Sequence, residues 1–174
     1  EILRRLVSVA ELHLGTPEVA LELCDEALLI HPQDIEFLRR AMMLSRGDIE
    51  ERLAWRLIRA LPDGDPEASL LLERLSLEGG RQYRMRALER LVEQHPTDET
   101  YRDRLESLRV DLGDWAAVAA ELEQRETRDP TDLYRLAEIY QNRLGNKKGA
   151  TSALMRCLEV QPDSGRATRA LYNL

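Results

Sequence analysis

The sequence predicts an all-α protein, an α-solenoid of antiparallel helix hairpins repeated in tandem. Three observations carry this reading. Five of the seven prolines fall at 32, 62, 96, 130 and 162, and five of the nine glycines, at 15, 47, 79, 113 and 145, fall between them. An alternation of Gly and Pro with a period of 30 to 34 residues marks one supersecondary unit repeated. Within the units apolar residues step by three and four, as in Leu133, Leu136, Ala137 and Tyr140 or Ala20, Leu23, Cys24 and Ala27, which is the spacing of one helix face. No segment alternates apolar and polar residues over a strand's length, so a sheet has no source.

The elements follow from their punctuation. Helices are expected near 2–14, 17–30, 34–45, 48–61, 66–78, 81–95, 98–112, 114–128, 131–144, 147–160 and 163–173. They form five hairpins and one unpaired helix in a single repeat domain, with units of about 1–32, 33–62, 63–96, 97–130 and 131–162 and a terminal helix in 163–174. Each Gly can take the left-handed conformation that ends a helix, and a polar residue or Pro soon after opens the next, as in Gly15-Thr-Pro17, Gly47-Asp48, Gly113-Asp114 and Gly145-Asn146. Each repeat Pro follows a second helix and cannot prolong it. Asp then caps the next helix, as in Pro32-Gln-Asp34 and Pro130-Thr-Asp132.

Composition narrows the function classes. The chain has 174 residues, 43% apolar and 33% charged, enough of each to bury a core and solvate its outside. With 25 basic against 32 acidic residues the net charge is −7, which disfavours a uniformly basic nucleic-acid face and with it an RNA-binding array of similar period. All the bases but Lys147 and Lys148 are arginine, as a GC-rich bacterial genome would produce. The longest apolar run, 115–120, is far short of a membrane span. A chain that opens on Glu1 without a signal stretch reads as an internal piece of a longer protein.

No grouping of residues carries chemistry. Cys24 and Cys157 belong to no CxxC pair or Cys/His cluster and read as small buried residues, so neither a metal nor any other cofactor is expected. The stretch 145–152 has a superficial likeness to a phosphate loop but has Ala150, Thr151 and Ser152 where Gly-Lys-Ser/Thr is required. Asp63-Gly-Asp65 lacks the spaced oxygens of a calcium loop and reads as a capping linker. His31 and His95 precede repeat prolines at the negative end of a helix dipole, and His13 has no nucleophile or metal-binding companion. The chain is therefore not expected to be an enzyme.

With Gly15, Ala20, Ala27 and Pro32 in the first unit, and Gly145, Ala150, Cys157 and Pro162 in the last, the sequence resembles the tetratricopeptide (TPR) repeat family. Leu133, Leu136, Ala137 and Tyr140 look like the large, large, small, aromatic set of that family's first helix. In the middle units Arg84 and Leu91, and Val118 and Arg125, stand where the small residues belong, and the gap from Gly47 to Pro62 is two residues short. Close helix approach needs a small side chain at the crossing, so these pairs should splay.

The resemblance implies a right-handed superhelix whose first helices line a concave groove, and a protein-interaction scaffold that binds a peptide or protein there. The alternative is a regulatory or oligomerising module of a larger enzyme or envelope-assembly protein. Groove candidates are Arg5, Val9, Arg40, Met43, Arg104, Tyr134, Glu138 and Asn142. Where some relatives clamp a carboxylate with Lys and Asn, this chain has Arg5 and Val9, which keeps the charge and omits the amide. Six arginines between 39 and 59 and four between 81 and 90 suggest an acidic partner. The first helix, with eight apolar residues in 2–14, is expected to seek cover, in a homo-oligomer or under another helix.

Overall fold

The computed structural model describes residues 2–11, 15–125 and 129–174. His13, the end of the first expected helix and residues 126–128 of the eighth lie outside them. The described residues form eleven helices and no strand: α1 (Ile2–Val9), α2 (Pro17–Ile30), α3 (Ile35–Leu44), α4 (Asp48–Ala60), α5 (Pro66–Glu78), α6 (Arg81–Gln94), α7 (Glu99–Leu112), α8 (Trp115–Gln124), α9 (Pro130–Asn142), α10 (Lys147–Val160) and α11 (Gly165–Tyr172).

The turns are built much as their residues dictate, with two departures. Gly15, Gly47, Gly113 and Gly145 all have positive φ, between 59° and 72°. Gly79 does not: its φ is −63°, and a Cβ there would sit 2.4 Å from the Leu75 carbonyl oxygen. It is glycine because the chain passes close to the Leu75 carbonyl of α5, and Gly64, in the preceding turn between α4 and α5, is the glycine with positive φ, at 80°. The second departure is at Pro130, which opens α9 instead of following α8. Its cap is Asp129, whose side chain accepts from the Thr131 N–H at 2.8 Å, and not Asp132. Proline at the first helical position sacrifices an N–H that has no helical partner anyway.

The other caps follow the same chemistry. Asp34 accepts from the N–H groups of Glu36 and Phe37, Asp65 from Glu67 and Asn146 from Gly149. His31 and His95 are the closing residues of α2 and α6, each donating its backbone N–H to a carbonyl four residues back.

Two compact units make up the chain, residues 1–102 and 103–174. In the first, Ala20, Cys24 and Ala27 of α2, Leu38 and Ala41 of α3, Leu53, Ala54 and Leu57 of α4, and Leu72 and Leu75 of α5 form one buried core. Arg84 and Leu91 do not splay α5 from α6. The helices pack closely along their length, because α6 turns Ala87 and Leu91 into the core that holds Leu72 and Leu75 of α5, and leaves Arg84 half-buried.

In the second unit Val118, Ala119 and Leu122 of α8 meet Leu133, Leu136 and Ala137 of α9 and Ala153, Leu154 and Cys157 of α10. Each fully buried Leu contributes about 1.5–3 kcal/mol. The backbones of α9 and α10 run close together, whereas those of α7 and α8 meet at few points, the looser pairing expected where Val118 and Arg125 stand.

Candidate functional site

First helices of successive hairpins are tied to each other by polar pairs 28 to 32 residues apart. In the first unit, Arg4 of α1 reaches Asp34 (3.3 Å) and Glu36 (3.0 Å) at the start of α3. Arg39 of α3 forks onto Glu67 of α5, Nε lying 2.9 Å from both carboxylate oxygens. Tyr101 of α7 donates its hydroxyl to Glu73 of α5. In the second unit Arg135 of α9 pairs with Glu106 of α7, and Arg166 of α11 with Glu138 of α9 at 3.4 Å.

These ties decide where the groove candidates stand. Arg40 is turned toward α1: its Nη1 donates to Ser8 Oγ at 2.9 Å, and Glu36 (3.3 Å) and Glu11 (3.8 Å) flank its guanidinium. Arg5 and Val9 are exposed on α1, and Met43 on α3. In the second unit Arg104 is half-buried on α7. Tyr134 lies beneath Arg166, whose guanidinium carbon is 3.9 Å from the ring centroid, and the same arginine holds Glu138. Asn142 is exposed in the last turn of α9.

Sequence reasoning missed the most buried charge. Glu106 on α7 is 8% exposed and receives Arg125 of α8 at 3.0 Å as well as Arg135. Arg125 also meets Glu121 at 3.0 Å, and Glu121 accepts Arg109 of α7 at 2.8 Å. Five charged side chains thus occupy the contact of α7, α8 and α9, where the other hairpins have apolar packing. The departure of Arg125 from a small residue was the one signal of this in the sequence.

Reactive groups are poorly placed for chemistry. Both thiols are free and buried, and burial, with Glu11 adding to it, pushes Cys24 up from 9.0 to about 11, so that little thiolate exists at neutral pH. No group of His, Cys, Asp and Glu among the described residues is arranged to hold a metal ion. Gly149 sits against Asn146 and the Tyr140 ring, where a Cβ would approach within 2.8 and 3.0 Å. Packing thus accounts for the glycine of the loop-like stretch, and Lys147 donates to the Leu174 carbonyl at 2.9 Å. Asp63 pairs with Arg90 at 3.3 Å while Asp65 caps α5. No helix among the described residues is long and apolar enough to cross a membrane.

No protein-family model matches the chain, and no curated protein does. Some solved structures align with it over most of its length. YrrB, a TPR protein with an unusual peptide-binding site, is 18% identical over 98% of this chain and 90% of its own, with a TM-score of 0.40. TTC0263, a thermophilic TPR protein of Thermus thermophilus, is 23% identical over 97% and 96%, with a TM-score of 0.39. MamA is 15% identical over 90% of this chain and 75% of its own, with a TM-score of 0.41. By its own Gly–Pro period and the helix hairpins that period punctuates, the chain is a helical-repeat protein.

Proposed function

We propose that this chain is a protein-interaction scaffold without chemistry of its own, which holds a peptide or protein segment along its first helices. The observation that carries this reading is apolar: Met43 of α3 is 71% exposed, and Leu70 and Leu77 of α5, seven residues apart and so on one side of that helix, are 72% and 63% exposed. Exposed Leu6 and Val9 extend the series to α1. Apolar side chains recurring on the first helices of three successive hairpins suit a partner's apolar anchors. Arg4, Arg39 and Arg40 already have carboxylate partners within the chain, so an acidic group on the partner competes there with Glu36 and Glu67. Arg5, exposed on α1, adds a further positive charge at that end. In the second unit Asn142 offers an exposed amide, with Arg104, Tyr134 and Glu138 lining the same series of helices.

The test is capture of partners by wild type and by a Met43→Asp, Leu70→Asp double variant in parallel, with mass spectrometry. Polypeptides retained by wild type and lost from a variant of unchanged helix content support the reading. An identical set from both removes it. The apolar exposure of Ile2, Leu6 and Val9 on α1 favours a second reading, an oligomerising or regulatory module of a larger protein whose own segment or second copy covers that helix. Leu6→Glu should then abolish self-association and leave the Met43 face unaffected.

A further inference from the structure

In the first unit the second helices of the hairpins carry charge that the chain itself does not neutralise, and they carry both signs. Glu18, Glu22, Asp25 and Glu26 of α2 recur at i, i+4, i+7 and i+8 and are all exposed on one face, and α2 has no basic residue. On the second helices of the next two hairpins Arg52 and Arg59 of α4, and Arg81 and Arg86 of α6, are exposed. Among the described residues none of these eight side chains has a hydrogen bond or ion pair within the chain. Of the carboxylates of α4, Glu50 holds Arg74 at 3.0 Å, and Glu51, which lies in the same depression as Arg52 and Arg81, accepts the Gly80 N–H at 2.9 Å. That leaves Asp48 in the first turn as the exposed acid of α4.

These helices share one outer face. The first turns of α4 and α6 line a common shallow depression, with Asp48, Ile49, Glu51 and Arg52 on one side and Arg81 and Tyr83 on the other. Arg56 of α4 donates to the Pro32 carbonyl just past the end of α2, at 3.0 Å. An acidic α2 therefore adjoins the exposed arginines of α4 and α6, on helices that also expose Asp48, Glu89 and Glu93. Exposed apolar residues lie among the charges, Leu29 (83%) and Ile30 (66%) ending α2 and Ile49 beginning α4.

We propose that this face docks a second copy of the chain, about a two-fold axis that sets the acidic α2 of each copy on the basic α4 and α6 of the other. A surface with adjacent acidic and basic halves is its own complement when inverted by such an axis, and each contact is then made twice. A parallel superposition would instead set like charges together, which selects against it. Leu29, Ile30 and Ile49 supply apolar contact within a charged surround. The pairing occupies the second helices and leaves the first helices of that unit clear, so the assembly would hold two partner segments at once and gain avidity for a bivalent partner.

A charge swap tests this with the 174-residue chain alone. By sedimentation equilibrium wild type should form a reversible dimer. Arg52→Glu with Arg86→Glu, and separately Glu22→Arg with Glu26→Arg, should each weaken it by about tenfold or more. Mixing the two variants in equal amounts should restore a heterodimer, because one then has two acidic halves and the other two basic ones. Circular dichroism verifies folding, and Arg52→Gln with Arg86→Gln replaces the reversed pair if that pair fails to fold. A monomeric wild type at the highest attainable concentration, variants that associate as wild type does, or folded variants that do not pair when mixed would each overturn the proposal. So would association abolished by Leu6→Glu and untouched by the charge variants, which assigns it to α1. Loss with the arginine variant alone overturns it too, and leaves the basic half to an acidic partner of another kind.

Discussion

Two helix pairs in the second unit share a turn and differ in what holds them together. Gly113 and Gly145 have φ of 72° and 63°, and each is followed by a polar cap, Asp114 or Asn146. Past the turn, α10 presents Ala150, Ala153, Leu154 and Cys157 and lies close on α9. From α8, Arg125 reaches instead into Glu106, while α7 contributes the half-buried Val110 to the unit's core. Turn chemistry therefore sets where the chain reverses, and the side chain at the crossing sets how near the helices come. Where a guanidinium occupies that place, the pair is joined by ions through Arg109, Glu121, Arg125 and Glu106.

The largest difference should appear on removing one apolar group from the close pair. Leu136→Ala is expected to cost about 2–5 kcal/mol in urea unfolding, because buried α9 cannot collapse onto the void. A loss under about 1 kcal/mol would show that α9 and α10 are no better packed than α7 and α8. Next comes Glu106→Ala, which leaves Arg125 and Arg135 without their shared carboxylate and is expected to cost about 1–3 kcal/mol. Replacing Glu106 and Arg125 together by Leu and Met should recover much of that loss, since apolar residues of similar volume commonly match a partly buried ion pair. If the double variant is as unstable as the single one, the ions contribute more than packing could.

Alanine at Gly113 or Gly145 is expected to cost about 1–2 kcal/mol at either site, for the left-handed backbone both turns require. A marked inequality would mean that the turns are not equivalent and would weaken the comparison at its base. The smallest effect is on pH dependence. Burial, and then the Glu123 carboxylate, push the Tyr140 phenol up from 10.0 to about 12. The folded state therefore holds that proton more tightly than the unfolded chain does. The associated stability is fully present below pH 10 and is lost as pH rises toward about 12. Tyr140→Phe should flatten the fall in that window, and an unchanged alkaline slope would assign it elsewhere, Cys24 and Cys157 being other groups whose protons burial holds.

Much of this fold is legible in local chemistry. The Gly–Pro alternation, the three-and-four apolar step and the Asp, Asn and Ser caps act within about one helical turn of themselves, so their consequences can be read from neighbouring residues alone. The errors came where a local signal had two uses. Pro130 both cannot extend a helix and is suited to begin one, and Asp129, three residues earlier than the Asp132 that the Pro32-Gln-Asp34 pattern suggested, decides for beginning. Gly79 was read as a left-handed stop, and its actual duty is clearance of the Leu75 carbonyl. At α6, Arg84 and Leu91 suggested a splayed pair, yet Ala87 is the small residue that α6 buries in the core it shares with α5.

The groove candidates were legible as positions and not as environments. By itself the sequence determined that the chain is a run of helix hairpins, where most of the helices begin, and which residues fall on first helices, because hydrogen bonds four residues apart and caps within one turn settle those matters. Only the tertiary structure decided which charges are already answered. Arg39 and Glu67 meet across 28 residues, Arg40 turns back to Ser8 across 32, and Arg125 reaches Glu106 across 19, while Arg52 and Arg86 reach no carboxylate among the described residues. The reason is physical: a side chain's partner over such a separation depends on how far each helix rotates and shifts as its apolar face finds the best packing. A rotation of a few tens of degrees carries a guanidinium from one carboxylate to the next, or out into water, with no change in the pattern that made the helix.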